Sequence, residues 1–106
     1  MTDSYNVDYS VDALGDLREI YSYIANELLV PKTAKAQLRR IRKEVRLLDF
    51  MPAWYTLVEC EPWYSMKMHQ FPIDNFIVYY LVDDKVRTVT VTRIFYGGRD
   101  IEGIIN

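Results

Sequence analysis

Three runs of β-branched and aromatic residues in the C-terminal half constrain the fold of this 106-residue chain most strongly. They span Tyr64 to Phe71, Asn75 to Val82 and Val86 to Phe95, with breaks at 72–74 and 83–85. Runs of this composition favour strands, and breaks this short connect antiparallel neighbours. The second run is apolar enough to be the central strand of a small sheet.

The N-terminal third predicts one short strand and then a helix. Large apolar and polar residues alternate over Tyr5 to Tyr9, as in a strand with one buried face that can lie at a sheet edge. Ser10 is suited to cap the helix, and Pro31 is expected to stop it. The apolar stripe of this helix comprises Leu14, Leu17, Tyr21, Ile24 and Leu28, while Asp16, Arg18, Glu19 and Asn26 fall outside it.

A second amphipathic helix is predicted from near Thr33 to about Phe50, with Pro52 ending the pair. Its core face comprises Ala34, Leu38, Ile41, Val45 and Leu48. Residues 53–63 lack a clear period and predict a loop with one short strand at most.

These segments predict an α+β fold of order β-α-α-β-β-β. The short connection between the helices favours an antiparallel hairpin, packed on one face of a small, mostly antiparallel twisted sheet. The length fits a single domain over residues 1–106.

Several classes of protein are disfavoured by composition. No stretch approaches the roughly 18 apolar residues of a membrane span, and the N-terminus does not resemble a secretion signal, so we expect a cytoplasmic protein without a membrane partner. Cys60 is the only cysteine, which excludes an intramolecular disulfide. The sequence has no Cys/His cluster, and we expect neither a metal nor a cofactor.

The charges are unevenly distributed along the chain. Residues 1–31 carry one basic and six acidic side chains, whereas residues 32–50 carry seven basic and two acidic ones. The basic residues outside the core face of the second helix are Lys35, Arg39, Arg42, Lys43 and Arg46. They can bind phosphates or an acidic partner, or they can form an ordinary solvated helix face.

Two local patterns resemble those of RelE/ParE superfamily toxins. Residues 75–83 and 93–101 are similar to the aromatic central strand, acidic turn, last strand and Gly-Arg-Asp tail that end these toxins. The N-terminal Tyr9-Ser10, Ala13, Asp16-Leu17 and Tyr23-Ile24 also resemble the start of the superfamily's first helix. The resemblance implies a toxin of a type II toxin-antitoxin system. Such a toxin arrests growth, is silenced by a cognate antitoxin, and forms with it a complex that binds its own promoter DNA through the antitoxin.

The resemblance implies two alternative activities. RelE-like members cut messenger RNA in the ribosomal A site, and this mRNA interferase activity is the leading hypothesis; ParE-like members instead inhibit DNA gyrase without hydrolysis, and a divergent member can retain binding alone. The chain departs from the RelE-like pattern at two places. It has Phe76-Ile77-Val78 where those toxins carry an arginine, and no tyrosine follows Arg99.

Lys67 and His69 are candidate catalytic residues because residues two apart on a strand share a sheet face. His69, the only histidine, can titrate near neutrality, and Lys67 can stabilise an anionic transition state. The alternative is that both residues lie on the polar face of a half-exposed strand.

Arg99, the third candidate catalytic residue, matches the tail arginine of the family, and Arg93 and Tyr96 precede it as candidate RNA- or target-binding residues. We expect the strand carrying Lys67 and His69 to approach Arg99 just beyond Gly97-Gly98. The alternatives are a carboxylate partner for Arg93, an ion pair with Asp100 or Glu102 for Arg99, and packing for Tyr96.

The aromatic residues Trp54, Trp63, Tyr64, Tyr79 and Tyr80 can stack on bases or form the core. Because Tyr79 and Tyr80 are adjacent on a strand, they are predicted to point to opposite faces. One should pack beneath the helices, and the other should contact solvent or a partner.

Overall fold

The structure, a computed structural model, describes residues 4–50, 52 and 55–98. Its elements are β1 (Asn6–Tyr9), α1 (Val11–Ser22), α2 (Pro31–Arg46), β2 (His69–Ile73), β3 (Phe76–Asp83) and β4 (Thr88–Tyr96). A π-helical segment, Tyr23–Glu27, continues α1, and a 3-10 turn, Leu47–Asp49, continues α2. This order confirms the predicted β-α-α-β-β-β arrangement. None of the described helices is long and apolar enough to cross a membrane.

Ser10 caps α1 as predicted. Its backbone is extended, and its hydroxyl accepts a hydrogen bond from the Ala13 N–H at 3.0 Å. Leu17 is buried in the predicted stripe, but Asp16 is buried as well, at 7% exposure. The expectation that Asp16 lies outside the buried face is therefore wrong.

Pro31 begins α2 instead of ending the first helix. Proline is tolerated at the first helical position because the N–H that it lacks has no partner within the helix. The helix therefore starts earlier than predicted and ends at Arg46. The preceding helix ends near Leu29, which has a left-handed φ of 58°. The core face of α2 is confirmed: Ala34, Ile41, Val45 and Leu48 are buried, and Leu38 is partly buried.

The four strands form one sheet in the order β1-β4-β3-β2. β1 is parallel to β4 and the other pairs are antiparallel, so β3 lies inside the sheet as predicted. β2 is shorter than expected and begins at His69, since residues 61–67 form turns in which Lys67 has a φ of 61°.

The helical hairpin covers one face of the sheet. The cluster between them includes Ala13, Leu17, Ile41, Val45 and Leu48 from the helical side and Val78, Tyr80, Val89, Val91 and Ile94 from the strands. The Tyr80 hydroxyl donates a hydrogen bond to the Pro52 carbonyl. This confirms that one of the paired tyrosines packs beneath the helices.

A second cluster covers the opposite face. Val58, Trp63 and Met68 pack against Tyr79 and Phe95, with the Trp63 and Tyr79 ring centroids 4.9 Å apart. The expectation that the second tyrosine contacts solvent or a partner is wrong. The segment between α2 and β2 covers Tyr79 and leaves it 2% exposed. Tyr64 is half exposed, and Trp54 lies outside the described residues.

Candidate target-binding surface

Arg93 is paired with a carboxylate. Its Nε and Nη2 donate to the two carboxylate oxygens of Asp16 at 2.9 and 3.0 Å, and its guanidinium lies 4.5 Å from the centroid of the Phe95 ring. The hydrogen bonds to Asp16 raise the pKa of Arg93. The alternative of a carboxylate partner is confirmed, and the positive charge of this arginine is compensated within the fold.

Asp16 also completes the edge of the sheet. β1 ends opposite Val91, so the next residues of β4 have a strand, β3, on one side only. The Ile94 N–H donates to Asp16 Oδ2 at 2.9 Å, and the Thr92 carbonyl accepts from the Ser10 hydroxyl at 2.9 Å. The side chains of Ser10 and Asp16 thus make hydrogen bonds to the β4 backbone that a neighbouring strand would otherwise make.

Sequence reasoning missed this role of Asp16. A usable signal was present, because Asp16 follows the buried Ala13 by three positions and precedes Ile20 by four, which puts it on the face of α1 that packs inward. A carboxylate on such a face requires a donor or a cation.

Lys67 and His69 do not share a strand. Lys67 lies in the turn before β2, so the predicted same-face placement is wrong. His69 pairs with Tyr80 across β2 and β3, and the two rings stack with centroids 5.1 Å apart. Burial lowers the pKa of His69, and a backbone hydrogen bond with Lys67 partly opposes this. Its buried Nδ1 has no hydrogen-bond partner among the described residues.

The strand register also separates His69 from the end of β4. His69 is level with Tyr80 and Val91, whereas the last residue of β4, Tyr96, pairs with Phe76. Four residue steps along β3 separate these levels, a distance of about 13 Å at roughly 3.3 Å per residue. His69 itself is therefore separated from the end of the last strand, whereas Ile73, at the other end of β2, is level with Tyr96 through Phe76. The predicted approach of this strand to Arg99 is not tested by the described residues. Arg99 lies outside them, and its catalytic role stays a prediction, as do those of Lys67 and His69.

Tyr96 is 58% exposed and contacts Phe76 edge-on, with ring centroids 6.1 Å apart. It borders a groove of about 630 Å³ between the first helix and the ends of β3 and β4. Asp16, Glu19 and Tyr23 line the same groove. Among the described residues, its charged lining side chains are acidic.

The basic face of α2, defined as Lys35, Arg39, Arg42, Lys43 and Arg46, is exposed along its length. Positions 35, 39, 42 and 46 follow helical spacing and form one stripe of about 16 Å at roughly 1.5 Å per residue. Within the described ranges none of the five forms an ion pair. The neighbouring Arg40 differs, because its Nε lies 2.7 Å from Asp74 Oδ2 in the β2-β3 turn.

The basic face continues onto β1. The Arg42 guanidinium lies 5.7 Å from the centroid of the Tyr9 ring, and a cleft of about 260 Å³ lies between Val7, Tyr9, Arg42, Val45 and Arg46. Burial raises the pKa of Tyr9, and Arg42 partly opposes this. Cations and a strand edge therefore meet on one surface. In the part of the chain that the structure describes, no three His, Cys, Asp or Glu side chains are grouped to hold a metal.

Residues 7–101 match the family model of the ParE toxin of type II toxin-antitoxin systems, parDE. No curated protein matches the chain. The fold is similar to that of several solved structures at low sequence identity. A chromosomal ParDE toxin-antitoxin system from P. aeruginosa matches with a TM-score of 0.72 at 17% identity, covering 90% of this chain and 98% of that chain.

Two RelE-type structures are also similar. The archaeal RelE-RelB complex from Pyrococcus horikoshii has a TM-score of 0.61 at 17% identity, with 92% of this chain and 99% of that chain covered. The toxin-antitoxin complex RelBE2 from Mycobacterium tuberculosis has a TM-score of 0.61 at 17% identity, with 88% and 91% covered. At these identities the structural matches establish the fold alone.

Proposed function

The chain belongs to the family of ParE toxins of type II toxin-antitoxin systems, and we propose that it arrests growth by binding its target through the basic face of α2, without cutting RNA. The proposed target is DNA gyrase, which the resemblance to ParE-like toxins implies. The observation that carries the proposal is the concentration of cations on one exposed helix face, none of which has a carboxylate partner among the described residues.

The electrostatic setting supports a binding role for this face. Exposed cations without carboxylate partners are available to an acidic surface or to phosphates. Their regular spacing on a rigid helix keeps them on one side, so an acidic partner meets several of them together. Arg93 is a weaker candidate, because its Nε and Nη2 already donate hydrogen bonds to Asp16.

Ribosome-dependent RNA cleavage is the second candidate function. It is favoured by the lowered pKa of His69, because a neutral imidazole at pH 7 can accept a proton. Metal-free cleavage also requires an acid for the leaving oxygen and cations for the phosphorane charge. Lys67 lies in a turn before the strand of His69, and Arg93 is bound to Asp16. The described residues therefore support RNA cleavage at His69 less well than they support binding through α2.

A cognate antitoxin is part of the proposed function. The similar structures include toxin-antitoxin complexes, and the same kind of partner is proposed here. An antitoxin with acidic residues against the basic face would silence the toxin by covering the surface that binds the target.

The test compares two triple variants that change the net charge equally. Arg39→Glu, Arg42→Glu and Lys43→Glu reverse part of the basic face, while Arg18→Glu, Lys32→Glu and Lys85→Glu reverse exposed cations elsewhere. We expect induction of the first variant to leave growth normal and induction of the second to arrest growth as the natural chain does. Circular dichroism and urea unfolding check that both variants are folded.

The type of arrest separates the two candidate functions. The binding proposal predicts filamentation and DNA-damage induction without cuts inside codons, and His69→Gln is expected to remain toxic. Rapid loss of translation with codon-specific cuts, abolished by His69→Gln, would overturn the proposal in favour of RNA cleavage.

A further inference from the structure

A cleft between β1 and the second half of α2 brings two arginines and a tyrosine together. Its lining residues are Val7, Tyr9, Arg42, Val45 and Arg46. Arg42 and Arg46 are four positions apart, so they lie on the same side of α2, and the Arg42 guanidinium is 5.7 Å from the centroid of the Tyr9 ring. Burial raises the pKa of Tyr9, and the charges of Arg42 and Arg46 partly oppose this. Both guanidinium groups therefore lie near the Tyr9 hydroxyl.

No carboxylate neutralises this cleft among the described residues. None of the five lining residues is acidic, and neither arginine forms an ion pair within the described ranges. Asp8 follows Val7 on β1, but adjacent residues of a strand point to opposite faces of the sheet. Val7 and Tyr9 pack on the helical side of the sheet, so the exposed Asp8 lies on the other side. The cleft thus keeps a positive charge that suits an anion.

The directions of the donors favour phosphate over carboxylate. A carboxylate is planar, and one arginine satisfies both of its oxygens, as Arg93 does for Asp16. In the cleft, two guanidinium groups come from α2 and a hydroxyl comes from β1, on the other side. A tetrahedral phosphate group presents oxygens in several directions and can accept from all three groups. The shape of a phosphate therefore matches this donor set better than that of a carboxylate does.

The surroundings of the cleft favour the phosphate of a nucleic acid backbone. Val7 and Val45 line the same cleft, and their apolar side chains can contact the sugar beside a phosphate. Lys35 and Arg39 continue the exposed basic stripe along α2, which spans about 16 Å at roughly 1.5 Å per residue. A DNA strand carries one phosphate per roughly 3.4 Å of helix axis. The stripe can therefore contact further phosphates beside the one in the cleft.

We infer that Tyr9, Arg42 and Arg46 form a phosphate site that takes one phosphodiester of a DNA backbone, while the other cations of the basic face contact the phosphates beside it. The inference rests on the proposed function for the choice of DNA, the polymer on which DNA gyrase acts, and it specifies what the basic face binds. Phosphate contacts hold a protein on DNA without reading its sequence. The toxin would thus contact the DNA at gyrase independently of sequence.

The test measures binding of the purified toxin to a fluorescent DNA duplex by anisotropy. Arg42→Gln with Arg46→Gln removes two charges from the cleft, while Arg39→Gln with Lys43→Gln removes two from the same helix face outside it. We expect the first pair to weaken binding at least about tenfold more than the second. Tyr9→Phe keeps the ring and removes the hydroxyl, and it should weaken binding about threefold. Circular dichroism and urea unfolding check that every variant is folded.

NMR spectroscopy of the natural toxin provides a second measurement that needs no variant. Addition of the duplex is expected to shift the side-chain Nε resonances of Arg42 and Arg46 more than that of Arg39. Equal shifts at all three, or equal weakening by the two glutamine pairs, would indicate an ordinary charged face and overturn the site. If inorganic phosphate shifts Arg42 and Arg46 but the duplex does not bind, the cleft takes a small phosphate compound and the inference is also overturned.

Two competitors distinguish DNA from other polyanions. We expect the labelled duplex to be displaced by unlabelled DNA at lower concentrations than by poly-glutamate or by an RNA duplex of equal charge. Equal displacement by poly-glutamate would indicate an acidic protein surface, and stronger displacement by RNA would indicate an RNA site. Either result would overturn the inference.

The type of growth arrest separates this inference from the proposed function. Filamentation caused by a toxin that does not bind the duplex would overturn the phosphate site and leave gyrase as the target. Binding of the duplex at the cleft by a toxin that causes no filamentation would overturn the gyrase proposal and leave the phosphate site.

Discussion

Arg93 and the basic face of α2 both consist of basic side chains, but the fold pairs the first with a carboxylate and leaves the second exposed. Arg93 lies beside the buried Asp16, which binds it through both carboxylate oxygens and also accepts the Ile94 N–H. The five cations of α2 are exposed and have no ion pair within the described residues. The difference teaches that a basic residue near a family motif can serve the fold, while the residues available to a partner are those whose charge the protein leaves uncompensated.

The largest effect is expected from removing the partner of Arg93. Asp16→Ala leaves a partly buried guanidinium and the Ile94 N–H without their acceptor, which should destabilise the toxin by about 3 kcal/mol. The free energy of unfolding in urea measures this. Glu19→Ala, an exposed change on the same helix, is the control and should stay within about 0.5 kcal/mol of the natural chain. Equal stabilities for the two variants would show that the Asp16 pair is not structural.

The basic face should give the opposite pattern, with little effect on folding and a clear effect on binding. Arg39→Gln, Arg42→Gln and Lys43→Gln together should change the unfolding free energy by less than about 0.5 kcal/mol. Antitoxin affinity should fall roughly 10-fold or more, with a weaker dependence on salt concentration. Titration calorimetry at two ionic strengths is the measurement. An unchanged affinity and salt slope would remove α2 from the interface.

The smallest effect concerns His69, whose charge the fold disfavours. Its pKa is lowered by burial relative to the ordinary value of 6.5, so the unfolded chain binds the proton more readily. The contribution of His69 to the free energy of unfolding is fully present above about pH 6.5. It is lost as the pH falls through the lower pKa of the folded state. His69→Gln should therefore reduce the decline in urea midpoint between pH 7 and 5. A decline as steep as that of the natural chain would assign the acid sensitivity to other groups.

The order of elements could be predicted because each signal was local. Ser10 precedes a helical stripe, and β3 is an apolar run between two turns, so neither prediction depended on distant contacts. Pro31 was misassigned for the same reason, since proline is compatible with the end of one helix and the start of the next.

The wrong predictions concern contacts that sequence spacing does not encode. Asp16 and Arg93 meet where β1 has ended and one side of β4 has no neighbouring strand. Tyr79 is buried by a loop without periodicity, and its cover could not be read from strand alternation. Lys67 is two residues from His69, but its left-handed backbone excludes it from the strand. The exposed basic face could thus be predicted on α2, because one helix carries all its residues, whereas the contacts between strands could not; the role of this face in binding stays a prediction.

The parallel pairing of β1 with β4 has a consequence for when the toxin becomes active. The hydrogen bond from Ser10 to Thr92 joins residues that are 82 positions apart, so the sheet cannot close until β4 has been synthesised. Contacts of such long range slow folding and leave earlier segments exposed meanwhile. β1 and the helices therefore remain without their final sheet until β4 has been synthesised. During this period an already available partner can reach the nascent toxin before the toxin reaches its target.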